Sequence, residues 1–192
     1  QKDPWVASAT YERQFPNTLR ITITERKVTA IVALSSGPVA WYLGENNVWL
    51  EADQLNVPEG KTTATVALEK ATSEGELLIT DVPATVSPVA GTTATDAEIQ
   101  VVMQYQSTFS SELTSQIVSY SASSVDAISV TLTNGVQVAL GSPTQIADKE
   151  KVILAMLKQF PGELTYLNVR TPASPTYRRV STGNVQSGSG VS

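Results

Sequence analysis

Cysteine and histidine are both missing from this 192-residue chain. Without cysteine no disulfide holds the fold, and nothing marks the redox compartment. Without histidine, Ser-His-Asp and Cys-His catalysis are excluded, and with both residues gone the commonest zinc sites go too, because the imidazole and thiolate they need are not there. Basic residues are few and scattered, 13 Lys and Arg against 18 Asp and Glu for a net charge of -5, which argues against a nucleic-acid groove. There is no run of about 18 apolar residues and no signal-peptide pattern, so the sequence as it stands is expected to be soluble. Phosphate loops are lacking: Lys61-Thr62-Thr63 follows a lone Gly60 without the spaced glycines of a cradle. No serine sits in a Gly-x-Ser-x-Gly elbow or a Ser-x-x-Lys motif with a plausible base. Asp81, Asp96, Glu98, Asp126, Asp148 and Glu150 are dispersed over caps, turns and a helix face, a spacing that predicts no shared acid cleft. A non-enzyme with no cofactor and no metal is expected, and binding becomes the default.

What is present is apolar residues in period, 41% of the chain, enough to bury a core without staples. The clearest stretch runs from Ala127 to Arg170. Ile128, Val130 and Leu132 alternate with Ser129 and Thr131, and after Asn134-Gly135 the apolar residues resume at Val136, Val138 and Leu140. A two-residue Asn134-Gly135 loop would pair Leu132 with Gln137 and split the two apolar rows between faces. A Thr133-Asn134-Gly135 loop pairs Leu132 with Val136 and Val130 with Val138, so the hairpin is expected to use it, with Gly135 left-handed. A helix then opens on Ser142 as N-cap, with Pro143 at its first position and Gln145 closing a capping box. Ile146, Ile153, Met156, Leu157 and Phe160 form its buried stripe, Lys149, Glu150, Lys151 and Lys158 its wetter faces, and Pro161-Gly162 its stop.

Upstream, Ala7, Ala9 and Tyr11 lead to a turn at Phe15-Pro16-Asn17-Thr18, and Leu19, Ile21 and Ile23 return: a hairpin over residues 7–26 that should need a neighbour, because two strands alone are marginal in water. A strand at Thr29 to Leu34 follows, then a hairpin of Val39 to Leu43 and Val48 to Leu50 that concentrates Trp41, Tyr42 and Trp49. Those rings either pack on the sheet or form a binding surface. Glu51 to Glu76 reads as an exposed excursion in which only Val66 to Leu68 resembles strand. Leu77-Leu78-Ile79 is a short buried strand. Thr95-Asp96-Ala97-Glu98 is a second capping box, and Ile99, Val102, Met103, Phe109 and Leu113 line the helix after it. Ile117 to Tyr120, Thr165 to Arg170 and Tyr177 to Val180 complete the strands, and the serine- and glycine-rich end is expected to be disordered. The fold class is α+β: a largely antiparallel mixed sheet with two amphipathic helices, near 95–113 and 143–160, on one face.

Pro4-Trp5-Val6-Ala7-Ser8-Ala9, then Tyr11-Glu12-Arg13-Gln14-Phe15-Pro16-Asn17-Thr18-Leu19 and Ile21-Thr22-Ile23-Thr24-Glu25-Arg26-Lys27, resemble the end of the polypeptide-transport-associated (POTRA) domain of the FtsQ/DivIB family of bacterial division proteins. Leu132-Thr133-Asn134-Gly135-Val136-Gln137-Val138-Ala139-Leu140-Gly141, Lys149 and Lys151, and Leu167-Asn168-Val169-Arg170-Thr171-Pro172 are similar to the family's second, β domain. Asparagine stands at Asn134 and Asn168 where the family usually has aspartate. The resemblance implies a truncated POTRA hairpin over 1–33, a β domain over 34–181 and a tail over 182–192, with the family's cytoplasmic tail, membrane span and first POTRA elements upstream of Gln1. It also implies a divisome scaffold, held in the cell membrane by a single span, whose extracytoplasmic domains bind FtsB/DivIC- and FtsL-type partners during septation. In that family the partner adds to the edge formed by the final strands. The matching residues here are Tyr166, Leu167, Val169 and Arg170, then Thr176, Tyr177, Arg178, Arg179 and Val180. The alternative is a secreted or wall-attached, adhesin-like domain that stacks glycan on the Trp41 to Trp49 hairpin.

Overall fold

A computed structural model describes residues 3–180. The tail expected over 182–192 lies outside them. The chain opens with β1 (Val6–Gln14) and β2 (Thr18–Glu25), which pair antiparallel as a two-stranded sheet of their own. Their register sets Ala9 opposite Ile23, Tyr11 opposite Ile21 and Arg13 opposite Leu19, so the apolar row lies on one face. That face stays open: Tyr11 is 81% exposed, Ile21 61% and Ile23 58%.

The second sheet has nine strands. β3 (Val28–Leu34), β4 (Val39–Gly44) and β5 (Val48–Gln54) form an antiparallel meander. α1 (Thr63–Glu74) then crosses over to β6 (Leu77–Val82), which lies parallel to β3. α2 (Ala97–Thr108) and the short α3 (Ser111–Thr114) lead to β7 (Ile117–Ala122), parallel to β6. β8 (Ile128–Leu132) and β9 (Gln137–Ala139) continue antiparallel, α4 (Ile146–Gln159) crosses over to β10 (Leu164–Asn168), parallel to β9, and β11 (Thr176–Arg179) closes the row. The order is β11-β10-β9-β8-β7-β6-β3-β4-β5. The expected division at 33/34 falls inside β3, a central strand of this sheet.

Two cores lie on opposite faces of the sheet. α2 and α4 share the larger one, where Ile99, Val102, Tyr105 and Ile153 meet Val32, Ile79, Val130, Val138 and Leu167. The smaller one places Ala67 and Ala71 of α1 on Ile31, Ala33 and Leu78. The fold is the expected α+β one, with the expected pair of helices together on one face.

Four local expectations fail. Glu51 to Glu76 is neither an excursion nor strand at Val66 to Leu68: it holds the end of β5 and all of α1, capped by the Thr62 hydroxyl accepting from Thr65 N–H at 3.2 Å and ended by left-handed Gly75. The second helix is capped at Asp96 rather than Thr95 and stops at Thr108, before α3. α4 starts at Ile146, not at Pro143. Tyr105 Oη donates to Ser142 O at 2.6 Å and Lys149 Nζ donates to the same oxygen at 2.6 Å, which holds Ser142 out of the helix, and Gln145 turns the chain at φ 52°. Lys149 itself, expected on a wet face, is 0% exposed.

Candidate partner-binding edge

β11 is the outermost strand at one end of the nine-stranded sheet. Thr171-Pro172-Ala173-Ser174-Pro175 delivers the chain to it through a turn closed by Ser174 N–H donating to Thr171 O at 3.0 Å. β11 pairs antiparallel with β10 through Asn168↔Thr176, Leu167↔Tyr177, Tyr166↔Arg178 and Leu164↔Arg179, with a bulge at Thr165. Val180 N–H donates to Glu163 O at 2.7 Å, and Arg178 O accepts from the Thr165 hydroxyl at 3.3 Å. The even-numbered residues therefore direct their backbone groups at β10. Because such groups alternate sides along an antiparallel strand, Tyr177 and Arg179 direct theirs away from the sheet, where no strand follows among the described residues.

The side chains divide between two faces. Toward the larger core, the Tyr177 ring stacks on Phe160, at the C-terminus of α4, with centroids 5.1 Å apart. The Arg179 guanidinium lies 4.9 Å from the Phe160 centroid and 3.4 Å from the Glu163 carboxylate. On the other face Arg178 lies 5.2 Å over the Tyr166 ring. Cation–π contacts at exposed sites are worth about 0.5–1 kcal/mol each, enough to orient the arginines without consuming their hydrogen-bonding capacity. Tyr177 remains 43% exposed.

The nine residues matched to the family's edge are thus not equivalent. Tyr177, Arg178, Arg179, Val180 and Thr176 are exposed and lie together, with Tyr166 beside them half-buried. Leu167 and Val169 are fully buried in the core, so they can support the edge but cannot be touched from outside. Arg170 is exposed beyond the end of β10, its stem against Gly141, where an added Cβ would fall 2.9 Å from Arg170 Cγ. Gly141 belongs to the 140–142 turn that Tyr105 and Lys149 hold from below, Tyr105 Oη lying 3.0 Å from Lys149 Nζ. This support was not legible in the sequence, because a lysine on an amphipathic helix reads as solvated. Burial lowers the Lys149 ammonium below its ordinary range and raises the Tyr105 phenol.

The aromatic hairpin, the other candidate surface, is packed. Trp49 is buried and meets Trp41 edge-on at 6.1 Å, while Tyr42 is tied down by a 3.1 Å hydrogen bond to Glu74 and by Lys70. Among the described residues no group of His, Cys, Asp and Glu could hold a metal ion, and no helix is long and apolar enough to cross a membrane.

Residues 1–26 match the family model for the POTRA domain, FtsQ-type, and residues 63–170 match that for cell division protein FtsQ/DivIB, C-terminal. Comparison with curated proteins finds no match.

Proposed function

We propose, because the chain belongs to the FtsQ/DivIB family of cell division proteins, that it is a non-enzymatic divisome scaffold that captures its partner by strand addition along β11. Its role lies in cell division. The partner is an extended segment of an FtsB/DivIC-type protein, with an FtsL-type protein in the same assembly, and the domain is held on the extracytoplasmic side of the cell membrane by a single span outside these residues. The division of labour follows the resemblance, with the POTRA end placed before β3 and the β domain from β3 onward, because a boundary at 33/34 would cut a central strand of the sheet. One observation carries this reading: the outward backbone groups of Tyr177 and Arg179 are flanked by a ring and two arginines already oriented by Phe160, Glu163 and Tyr166. Main-chain pairing supplies affinity and the flanking side chains supply specificity, with carboxylates of the partner meeting guanidinium groups.

Titration calorimetry with an FtsB/DivIC-type extracytoplasmic segment tests it. Tyr177→Ala combined with Arg179→Glu should weaken binding tenfold or more, about 1.4 kcal/mol, with little change in melting temperature. Lys61→Glu, on α1's side of the molecule, should leave affinity unchanged. Parental affinity in the double variant would move the site elsewhere.

A further inference from the structure

Arg26, which follows β2, touches both the two-stranded sheet and the nine-stranded sheet. Its N–H donates to Trp5 O at 2.6 Å and its Nε donates to Pro4 O at 3.2 Å, which closes the open end of the hairpin. The same guanidinium donates through Nη1 to Glu45 O at 3.0 Å, in the turn between β4 and β5. Its stem lies against Gly44, where an added Cβ would sit 2.6 Å from Arg26 Cδ. Gly44 has φ -101°, a conformation open to any residue, so what it supplies there is space. Next to this contact Glu45 N–H donates to Lys27 O at 3.0 Å, Trp5 Nε1 donates to Glu51 at 3.3 Å, and the Trp5 ring packs on Tyr42 with centroids 5.9 Å apart. Lys27 is the sole residue between β2 and β3 besides Arg26 itself, so there is no slack in the connection.

We propose that Arg26 is a pin that fixes the angle between the POTRA-type hairpin and the sheet, and that Gly44 is its socket. A guanidinium has five donors in a rigid fork, so one side chain spans carbonyl oxygens of both units while its stem fills the gap between them. The hairpin therefore projects from the β4–β5 end of the sheet in one orientation and does not swing on a linker. This coupling is independent of whether β11 receives a partner.

The chain has no cysteine, so spin labels can be placed at will. One pair, Thr22→Cys on the hairpin with Thr72→Cys on α1, reports the angle by pulsed electron resonance. A second pair, Thr72→Cys with Ser107→Cys on α2, reports the sheet alone. All three positions are exposed. The parent should give a narrow distribution for both pairs, and Arg26→Ala should broaden the first about two-fold or more while leaving the second narrow. If Arg26→Ala broadens both, Arg26→Lys decides, since it keeps charge and stem but has a single ammonium for two carbonyls. A broad first pair in the parent, or a narrow one in Arg26→Lys and Arg26→Ala alike, would overturn the proposal.

Discussion

At Gly135 the backbone has φ +81°, and a Cβ built there meets nothing within 4 Å, so any cost of a side chain comes from the dihedral alone. Gly135→Val should lower stability by roughly 1 kcal/mol or more, read as a lower urea midpoint with an unchanged slope. Asn134→Asp should be nearly neutral, because a carboxylate can accept from Val136 N–H as Asn134 Oδ1 does now at 3.1 Å. Lys149 behaves differently. It faces Tyr105 Oη and Ser142 O, and no carboxylate pairs with it among the described residues. Its ammonium is disfavoured by burial, so the unfolded chain holds that proton more tightly than the folded one. Stability should therefore rise with pH from the point where the buried amine loses its proton up to the ordinary lysine value of about 10.4. Above about 10 the sign reverses. Burial raises the Tyr105 and Tyr120 phenols, and Lys70, which burial alone would lower, is held above its usual range by Asp53, Glu74 and Tyr42. All three keep their protons longest in the folded state. Denaturant titrations across the alkaline range should show the rising limb in the parent and lose it in Lys149→Met, with the fall retained.

At the scale of elements, what was legible in the sequence is what alternates or caps in a standard way. The Thr133-Asn134-Gly135 loop could be chosen over a two-residue loop because only one register keeps Val130, Leu132, Val136 and Val138 on one face, and Leu132 N–H does donate to Val136 O at 2.9 Å. Helix α1 was hidden because its buried stripe is Ala67 and Ala71, small residues that let the helix approach Ile31 and Leu78 closely but give almost no hydrophobic period. The start of α4 was misplaced because its capping signal is local, whereas Tyr105 and Lys149 reach Ser142 from 37 and 7 residues away. The edge could be found only as far as strand order could: the sequence names Tyr177 to Val180 as a strand, but its outermost place depends on β9 and β10 being parallel across α4. The close approach of α1 is testable. Ala71→Leu should cost about 1–3 kcal/mol by overpacking, seen as a lower thermal midpoint with unchanged far-ultraviolet dichroism.

For the molecule as a whole, charge is distributed against its own average. A chain of net charge -5 gathers Arg170, Arg178 and Arg179 at the β10–β11 end. Association of an acidic segment there should be accelerated by attraction that salt screens, so its on-rate in stopped-flow mixing should fall several-fold between about 50 and 500 mM salt while the off-rate changes little. The opposite end of the sheet is closed differently. Trp49 N–H donates to Thr92 O at 2.9 Å, Gly91 N–H to Trp49 O at 2.7 Å and Ala94 N–H to Asn47 O at 2.7 Å, so the start of β5 already has its neighbour. A polymer chemist would call the nine-stranded sheet, read this way, monofunctional. A sheet open at both ends could propagate, each copy templating the next, whereas one covered at the start of β5 and taking a strand at β11, as proposed above, would be finished by it, an end-group and not a repeat unit.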